Sequence, residues 1–418
     1  MSNEFKKYDV AVIGAGPAGL MAGYRAASRG LDVVIFEKMD TPARKLRLTG
    51  KGRCNVVNNT DIAGTTDNIR NGARFMQSSL SAFDSAAVMS FFEERGVPLV
   101  TERGNRVFPK SGRAGDIAGA LIKSAGDAGC DIVNARVTDI IIDDGQAAGI
   151  ELADGRRIGT KAVIVATGGL SYPLTGSTGD GYEFALKAGH NIIEPRASLV
   201  PLECGGTDCA EMQGLSLRNV KLTLKVDDKR IFEAQGELLF THFGISGPLV
   251  LTASAHLCGA EKGSAVASID LKPALERDVL DKRLLRDFKD NANRDFQNSL
   301  GALVPKTMIP IIVRRSGIDP NKKIHSITVK ERHGLLDILK SFDVTVTRTR
   351  PIDEAVITAG GIDLKEIDPR RMLSKKISNL HFAGEVVDAD AFTGGFNLAI
   401  AFASGNAAGN YVLEDGVK

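Results

Sequence analysis

Gly14, Gly16 and Gly19 fall in GAGPAG, directly after the apolar run Tyr8–Ile13 and directly before an Ala-rich stretch of helical texture. In such a turn the first glycine permits a sharp reversal, the second lets backbone approach a pyrophosphate, and the third lets helix and strand pack closely. A helix opening there presents free N–H groups and partial positive charge, which suit phosphate. Glu37 closes the next apolar run, where a carboxylate can accept both ribose hydroxyls and would repel a 2′-phosphate. The pattern predicts a dinucleotide of the FAD or NAD kind rather than NADP.

Two further strand ends decide between FAD and NAD. Ala162–Ala166 is apolar and runs into Thr167-Gly168-Gly169, a strand end that many two-dinucleotide-fold flavoproteins bring over the FAD. His381-Phe382-Ala383-Gly384-Glu385 ends in glycine and acid, and Thr393-Gly394-Gly395-Phe396-Asn397 then opens the Ala-rich stretch Leu398–Ser404. In flavoproteins, a strand ending this way brings a carboxylate to the ribityl or pyrophosphate region. The following helix aims its positive end at the electron-rich pyrimidine edge of the flavin. NAD has no such need, so FAD is the expected cofactor, with Asp388 the rival of Glu385 for the carboxylate role. Two glycines and an asparagine at that helix start are read as serving close approach to the cofactor rather than packing.

These residues need a strand–turn–helix–strand unit, and Tyr8–Ile13, Leu20–Ser28 and Leu31–Glu37 supply one. Cys130–Val133, Val137–Ile142 and Ala147–Leu152 read as short strands, the last two joined across Asp144-Gly145. After Pro195 the texture becomes β-rich, with Val220–Val226, Arg230–Glu233 and Glu237–Thr241 around the turn Asp227-Asp228-Lys229. Between about 273 and 316 it becomes helical, with Leu275, Val279, Leu284, Leu285 and Phe288 assigned to one apolar face. The expected fold is α/β: a discontinuous nucleotide domain over 1–195 and 351–418, interrupted by a substrate or cap domain over 196–350 expected to cover the flavin.

The 418 residues allow two or three folding units. Forty-five of them are glycine, about 11% against a usual level near 7%, an excess that belongs in backbone-demanding loops. With 53 basic and 51 acidic residues there is no global field for nucleic acid, so none is expected as a partner. The odd, scattered set Cys54, Cys130, Cys204, Cys209 and Cys258 fits a reducing compartment, hence the cytoplasm. No apolar run reaches the length of a membrane span, and no histidine or cysteine spacing suggests a metal. Cys204 and Cys209 repeat the gap of the redox pair of disulfide reductases. They lie far from the first nucleotide unit and are read as unlinked loop thiols, and Cys54 is read as a small packing residue.

Four segments together resemble the BaiN/YhiN-like family of bacterial FAD-dependent oxidoreductases, also grouped as aminoacetone-oxidase-family flavoproteins. They are GAGPAGLMAG with FEK, RKLRLTGKGRCNVVN, GELLFTHFGISGPLVL, and ITAGGIDLKEIDPRRM with LHFAGEVVDADAFTGGFNLAIAFASG. The resemblance implies a glutathione-reductase-like FAD-binding Rossmann domain with an inserted β-barrel-like and helical portion. It places Gly14, Ala15, Gly16, Pro17, Ala18 and Gly19 along the pyrophosphate, Glu37 and Lys38 at the adenosine ribose, and Val137 near the adenine. Lys45, Gly50, Gly52, Arg53, Cys54 and Asn55 form a loop approaching the cofactor, with Lys45 and Arg53 offering charge to phosphates. Thr167, Gly168, Gly384, Glu385, Asp388, Gly394, Gly395, Phe396 and Asn397 complete the cofactor set.

The flavin carries the redox step, so protein groups need only orient a small-molecule substrate and move a proton. His242, in a glycine-rich turn, is the candidate acid or base. The expected activity is hydride transfer to or from a small organic substrate. NADH or NADPH is the expected donor, visiting transiently because no second glycine fingerprint appears. An oxidase or dehydrogenase using oxygen or quinone, and a flavin-binding module without turnover, are the alternatives.

Overall fold

Residues Tyr8–Ile13 form β1, four of whose six residues are buried. A parallel strand lies on each side: β2 (Val33–Glu37), with Val10 opposite Val33, and β6 (Arg157–Val165), with Val10 opposite Ala162. Covering on both faces is what a near-continuous apolar run requires. Helix α1 (Pro17–Ala27) joins β1 to β2. It starts three residues before the expected Leu20, because proline is well tolerated at the first helical position, where its missing N–H has no partner to lose. A short helix α2 (Arg44–Leu48) follows β2, and β3 (Asp131–Asn134) pairs outside β2.

The hairpin β4 (Val137–Asp143) and β5 (Gln146–Leu152) turns at Asp144 and Gly145, both with positive φ (45° and 74°), the geometry a two-residue turn favours. β5 then pairs antiparallel with the outer half of β6. One strand therefore serves two partners: its first half alternates exposed and buried residues and its second half is buried throughout. Only the second half is apolar enough to be read as a strand from sequence, hence the expected start at Ala162.

The computed structural model describes residues 7–257 and 264–414, so Cys258 and the first six residues lie outside the described residues. The chain divides into two units, one running to Arg196 and resuming at Val356, the other spanning Ala197–Ala355. The second unit is a closed barrel of six strands: β7 (Leu202–Cys204), β8 (Ser216–Val226), β9 (Lys229–Thr241), β10 (Gly244–Ser246), β11 (Ala265–Asp270) and β12 (Phe342–Thr349), in the order β7-β10-β9-β8-β11-β12. Between β7 and β8 lies a single helical turn, α3 (Asp208–Glu211). β8 and β9 form one long hairpin turned at Asp227 and Asp228, again both with positive φ.

The barrel interior, with Leu222, Leu238, Phe240, Ile269 and Phe342, continues into helices α4 (Arg277–Asp290), α5 (Ile309–Ser316) and α6 (Val329–Lys340). The helical part thus runs past the expected limit near 316. The expected apolar face also needs correction. Leu280 and Leu284 are buried, whereas Val279 and Leu285 are about half exposed, at 51% and 46%. At 100° per residue, a stripe through positions 280, 284 and 288 leaves positions 279 and 285 on its flanks.

On returning to the first unit the chain forms β13 (Ile357–Ile362) and β14 (Leu380–Phe382), the latter parallel to β6 with Val163 opposite Leu380. It then forms α7 (Phe396–Tyr411), longer at both ends than the expected Leu398–Ser404. α7 lies on α1 through small residues. A Cβ on Gly405 would stand 2.3 Å from the Ala18 carbonyl oxygen, and one on Gly409 2.2 Å from that of Ala22. Arg29 fastens the same pair by donating to the carbonyls of Gly409 (3.0 Å) and Val412 (2.8 Å). Among the described residues no helix is long and apolar enough to cross a membrane, and no group of metal-ligating side chains is assembled.

Candidate functional site

The turn after β1 is built of glycines with different duties. Gly14 has φ 102°, and a Cβ there would lie 2.5 Å from the Ala166 carbonyl oxygen; one on Gly19 would lie 1.9 Å from the carbonyl oxygen of Gly14. Both are small because protein presses on them. Gly16 has an ordinary φ of −78° and open space beside it, with no atom within 4 Å of a Cβ. It caps α1 without a side-chain hydrogen bond, so the N–H groups of Ala18 and Gly19 have no acceptor within the helix. Pro17 adds no donor. A helix start with unfilled donors and room before it is an anion cradle.

Glu37 faces the same turn. Its Oε2 accepts from the Ala15 N–H and its Oε1 from that of Met39, both at 2.9 Å. The carboxylate is thereby aimed, and each oxygen keeps acceptor capacity for a sugar hydroxyl. Lys38 is placed otherwise than at a ribose: its ammonium pairs with Asp180 at 2.8 Å and bonds Thr178. Val137 is buried at the start of β4, opposite Leu152.

The loop after α2 is backbone-strained. Gly50, Lys51, Gly52 and Cys54 all have positive φ, between 57° and 83°. Its two cations are not free for phosphate, because carboxylates already neutralise them. Lys45 pairs with Glu385 and bonds Ser171, both at 2.6 Å, and Arg53 pairs with Glu102 while stacking 4.2 Å from the centre of the Phe108 ring. Cys54 is fully buried, and burial pushes its thiol up to about 12, so it holds no thiolate near neutrality. Asn55, next to it, has a buried Oδ1 without a partner.

Thr167 and Gly168 stand at the end of β6. The Thr167 hydroxyl oxygen is also buried and unpartnered, and Gly168 has φ 76°. Gly384 reaches α1, a Cβ there lying 2.8 Å from that of Ala18, and its N–H is held by Ser404 of α7 at 2.9 Å. The Glu385 carboxylate accepts from Lys45, from Ser171 at 3.0 Å and from the Thr358 N–H at 2.7 Å. Asp388 is half-buried, and that burial raises its pKa; its backbone carbonyl accepts from Asn71 at 2.6 Å.

At the start of α7, Gly394 and Gly395 have φ of 128° and 98°. A Cβ on Gly395 would meet the Val57 backbone at 2.5 Å, and one on Gly394 would meet the buried ring of Phe396 at 2.8 Å. Asn397 closes a two-way clamp on Ala391, accepting its N–H at 2.9 Å and donating to its carbonyl at 2.7 Å. The three are fixed by packing, which replaces the expectation that they are small or polar for approach alone.

The first unit therefore draws together the β1–α1 turn, the end of β6, the loop after α2, and the stretch from Gly384 to Asn397. Ser171, Thr358 and Asn58, which donates to the Gly394 carbonyl at 3.1 Å, were not singled out in the sequence. Thr358 and Asn58 lie within quoted motifs, but a backbone-facing polar side chain has no spacing signature. His242 belongs to the second unit, exposed after β9, its ring 5.0 Å from that of Phe243.

A profile of the HI0933-like protein Rossmann domain matches residues 8–411. The chain belongs to the HI0933-like family. Its nucleotide domain is of the FAD-binding Rossmann type, and its cofactor is FAD. The open flank of Gly16, the aimed Glu37 carboxylate and the two unpartnered buried oxygens fit that cofactor's phosphates, ribose and ring donors. Within this flavoprotein oxidoreductase family, the chain is 26% identical to the ribosomal RNA dihydrouridine synthase of Escherichia coli K12, over 96% of each chain. It is 27% identical to the 3-dehydro-bile acid delta(4,6)-reductase of Clostridium scindens, over 97% of this chain and 99% of that one. In fold alone it resembles the crystal structure of 3-ketosteroid-delta4-(5alpha)-dehydrogenase from Rhodococcus jostii RHA1, with TM-score 0.53 at 15% identity over 99% of each chain. The relative named for ribosomal RNA removes the ground for setting nucleic acid aside. A net charge near zero averages over the whole surface and says nothing of a local patch.

Proposed function

We propose that this HI0933-like flavoprotein is a reductase that saturates a carbon–carbon double bond conjugated to a carbonyl. The observation that carries the reading is that two full-length relatives with unlike substrates bear names implying one reaction. Making dihydrouridine saturates the C5–C6 bond of uracil, conjugated to its C4 carbonyl, and a delta(4,6)-reductase acting on a 3-oxo steroid saturates bonds conjugated to the ketone. Bound FAD supplies the two-electron chemistry, taking a hydride from a donor and giving one to the carbon β to the carbonyl.

The protein's part is to hold and to protonate. Gly16 with the first turn of α1 takes the pyrophosphate, and Glu37 takes the ribose. The buried set Lys45, Glu385, Ser171 and Thr358 fixes the loop after α2 against the stretch following β14. For the proton at the neighbouring carbon, the proposal keeps His242. We assign FAD binding to the first unit and substrate selection to the second, and NADH or NADPH as donor.

The test is anaerobic. Flavin-loaded protein should lose its visible absorbance with NADH or NADPH, and regain it on adding either a uridine-containing ribosomal RNA fragment or a 3-oxo-Δ4 steroid. Which acceptor works names the substrate class. Bleaching by neither nicotinamide discards the donor. Reoxidation by oxygen or a quinone, but by no conjugated carbonyl, discards the reductase in favour of an oxidase or dehydrogenase.

A further inference from the structure

Cys204 and Cys209 lie in the second unit, and the flavin reading gives them no task. Cys204 ends β7 and is half-buried; Cys209 lies in α3 and is 2% exposed. The link between them contains Gly205 and Gly206, and Gly206 has φ 79°, so the chain doubles back. As a result the two thiols hydrogen-bond to each other, which corrects the expectation of unlinked loop thiols. Both pack on the core of the barrel. The segment is anchored on both sides: β7 pairs with β10 and β12. In α3, Asp208 and Glu211 hold Arg314 of α5, and Asp208 also takes Arg315 at 2.6 Å.

We propose that Cys204 and Cys209 form a peroxide-oxidisable dithiol that closes to a disulfide joining β7 to α3. Cys209 is held below the usual thiol range by the Cys204 S–H and by the Arg315 charge, against burial, while Cys204 is pushed up. Hydrogen peroxide is the oxidant. A thiolate sulfur of the pair attacks one peroxide oxygen, giving a sulfenic acid and, after proton uptake, one water. The second sulfur then displaces hydroxide from the sulfenic sulfur, forming the S–S bond and a second water. Two thiols lose two electrons and two protons, and one peroxide becomes two waters. Cys54 and Cys130, both pushed up to about 12 by burial, are built-in unreactive controls.

The test uses the full-length flavoprotein carrying Cys258→Ser, titrated with hydrogen peroxide, alkylated without reductant and read by intact mass and peptide mapping. The expected result is loss of two alkylatable thiols, a mass lower by two hydrogens, a peptide linking Cys204 to Cys209, and reversal by dithiothreitol. Cys204→Ser should abolish the link and leave a sulfenic acid at Cys209 that dimedone traps. Oxidation should raise the Tm of the second unit by a few degrees, because a closed ring restricts the unfolded chain. Persistence of both thiols at peroxide levels that oxidise free cysteine overturns the proposal, and so does a sulfinic acid at either position without the cross-link.

Discussion

The protein opens two helices toward its cofactor region with similar glycine motifs, and it uses them in opposite ways. At α1 the middle glycine, Gly16, faces empty space, and its backbone angle suits any residue. At α7, Gly394 and Gly395 take left-handed angles and press on Phe396 and Val57. A small residue in the first place leaves room for a ligand; in the second it lets one segment lie on another. Glycine content alone does not distinguish the two duties, whereas the space a Cβ would meet does.

That contrast can be attacked by substitution. Gly395→Ala should cost about 3 kcal/mol or more in urea unfolding, combining backbone strain of about 1–3 kcal/mol with overpacking of similar size. Near-native stability would mean the glycine is not there for packing. Acid should also act on the α7 side, through His381 on β14, the strand that leads to it. Burial brings this imidazole down to about 4 in the folded chain, from 6.5. The unfolded chain therefore binds the proton first. Stability is fully present above pH 6.5 and falls as pH drops toward 4, by about 3 kcal/mol at the lower end. His190, lowered chiefly by its burial, acts in the same direction. Urea midpoints measured across that window should fall less steeply in His381→Asn, and an unchanged slope would remove His381 from the account.

At the α1 side the effects should appear in binding. Glu37→Arg removes charged acceptors worth about 1.5–3 kcal/mol each and should weaken FAD binding by at least tenfold in a fluorescence titration. Unchanged flavin occupancy would refute the ribose assignment. Gly16→Ala is the sharpest of the set. Stability should stay within about 0.5 kcal/mol of the parent while FAD affinity drops several-fold, so a variant that loses stability but keeps FAD would reverse the comparison.

Much of the first unit was legible because its strands are apolar on both faces and its turns carry positive-φ residues. Tyr8–Ile13, Val33–Glu37 and the Asp144-Gly145 turn were readable this way. The outer half of β6 was not, since half-exposed alternation next to an antiparallel neighbour looks like loop. The α4 face was misassigned because a short helix with both Val279 and Leu285 apolar fits two stripes equally well. At the site, the glycines and Glu37 were visible by type and spacing. The pairing of Lys45 with Glu385 was not, because the two residues are 340 positions apart, and a lysine in a basic run looks free until its partner is seen.

The seam between α1 and α7 sets a timetable for biosynthesis. Arg29 waits for carbonyls such as that of Gly409, 380 positions later; at about 5–20 residues per second, that is a delay of about 20–80 s on the ribosome. The barrel between them has all its strands by Thr349 and can close first. The nascent Rossmann half meanwhile exposes the small-residue groove of α1 to whatever chaperone is near, and the coenzyme can be captured only once translation has delivered α7.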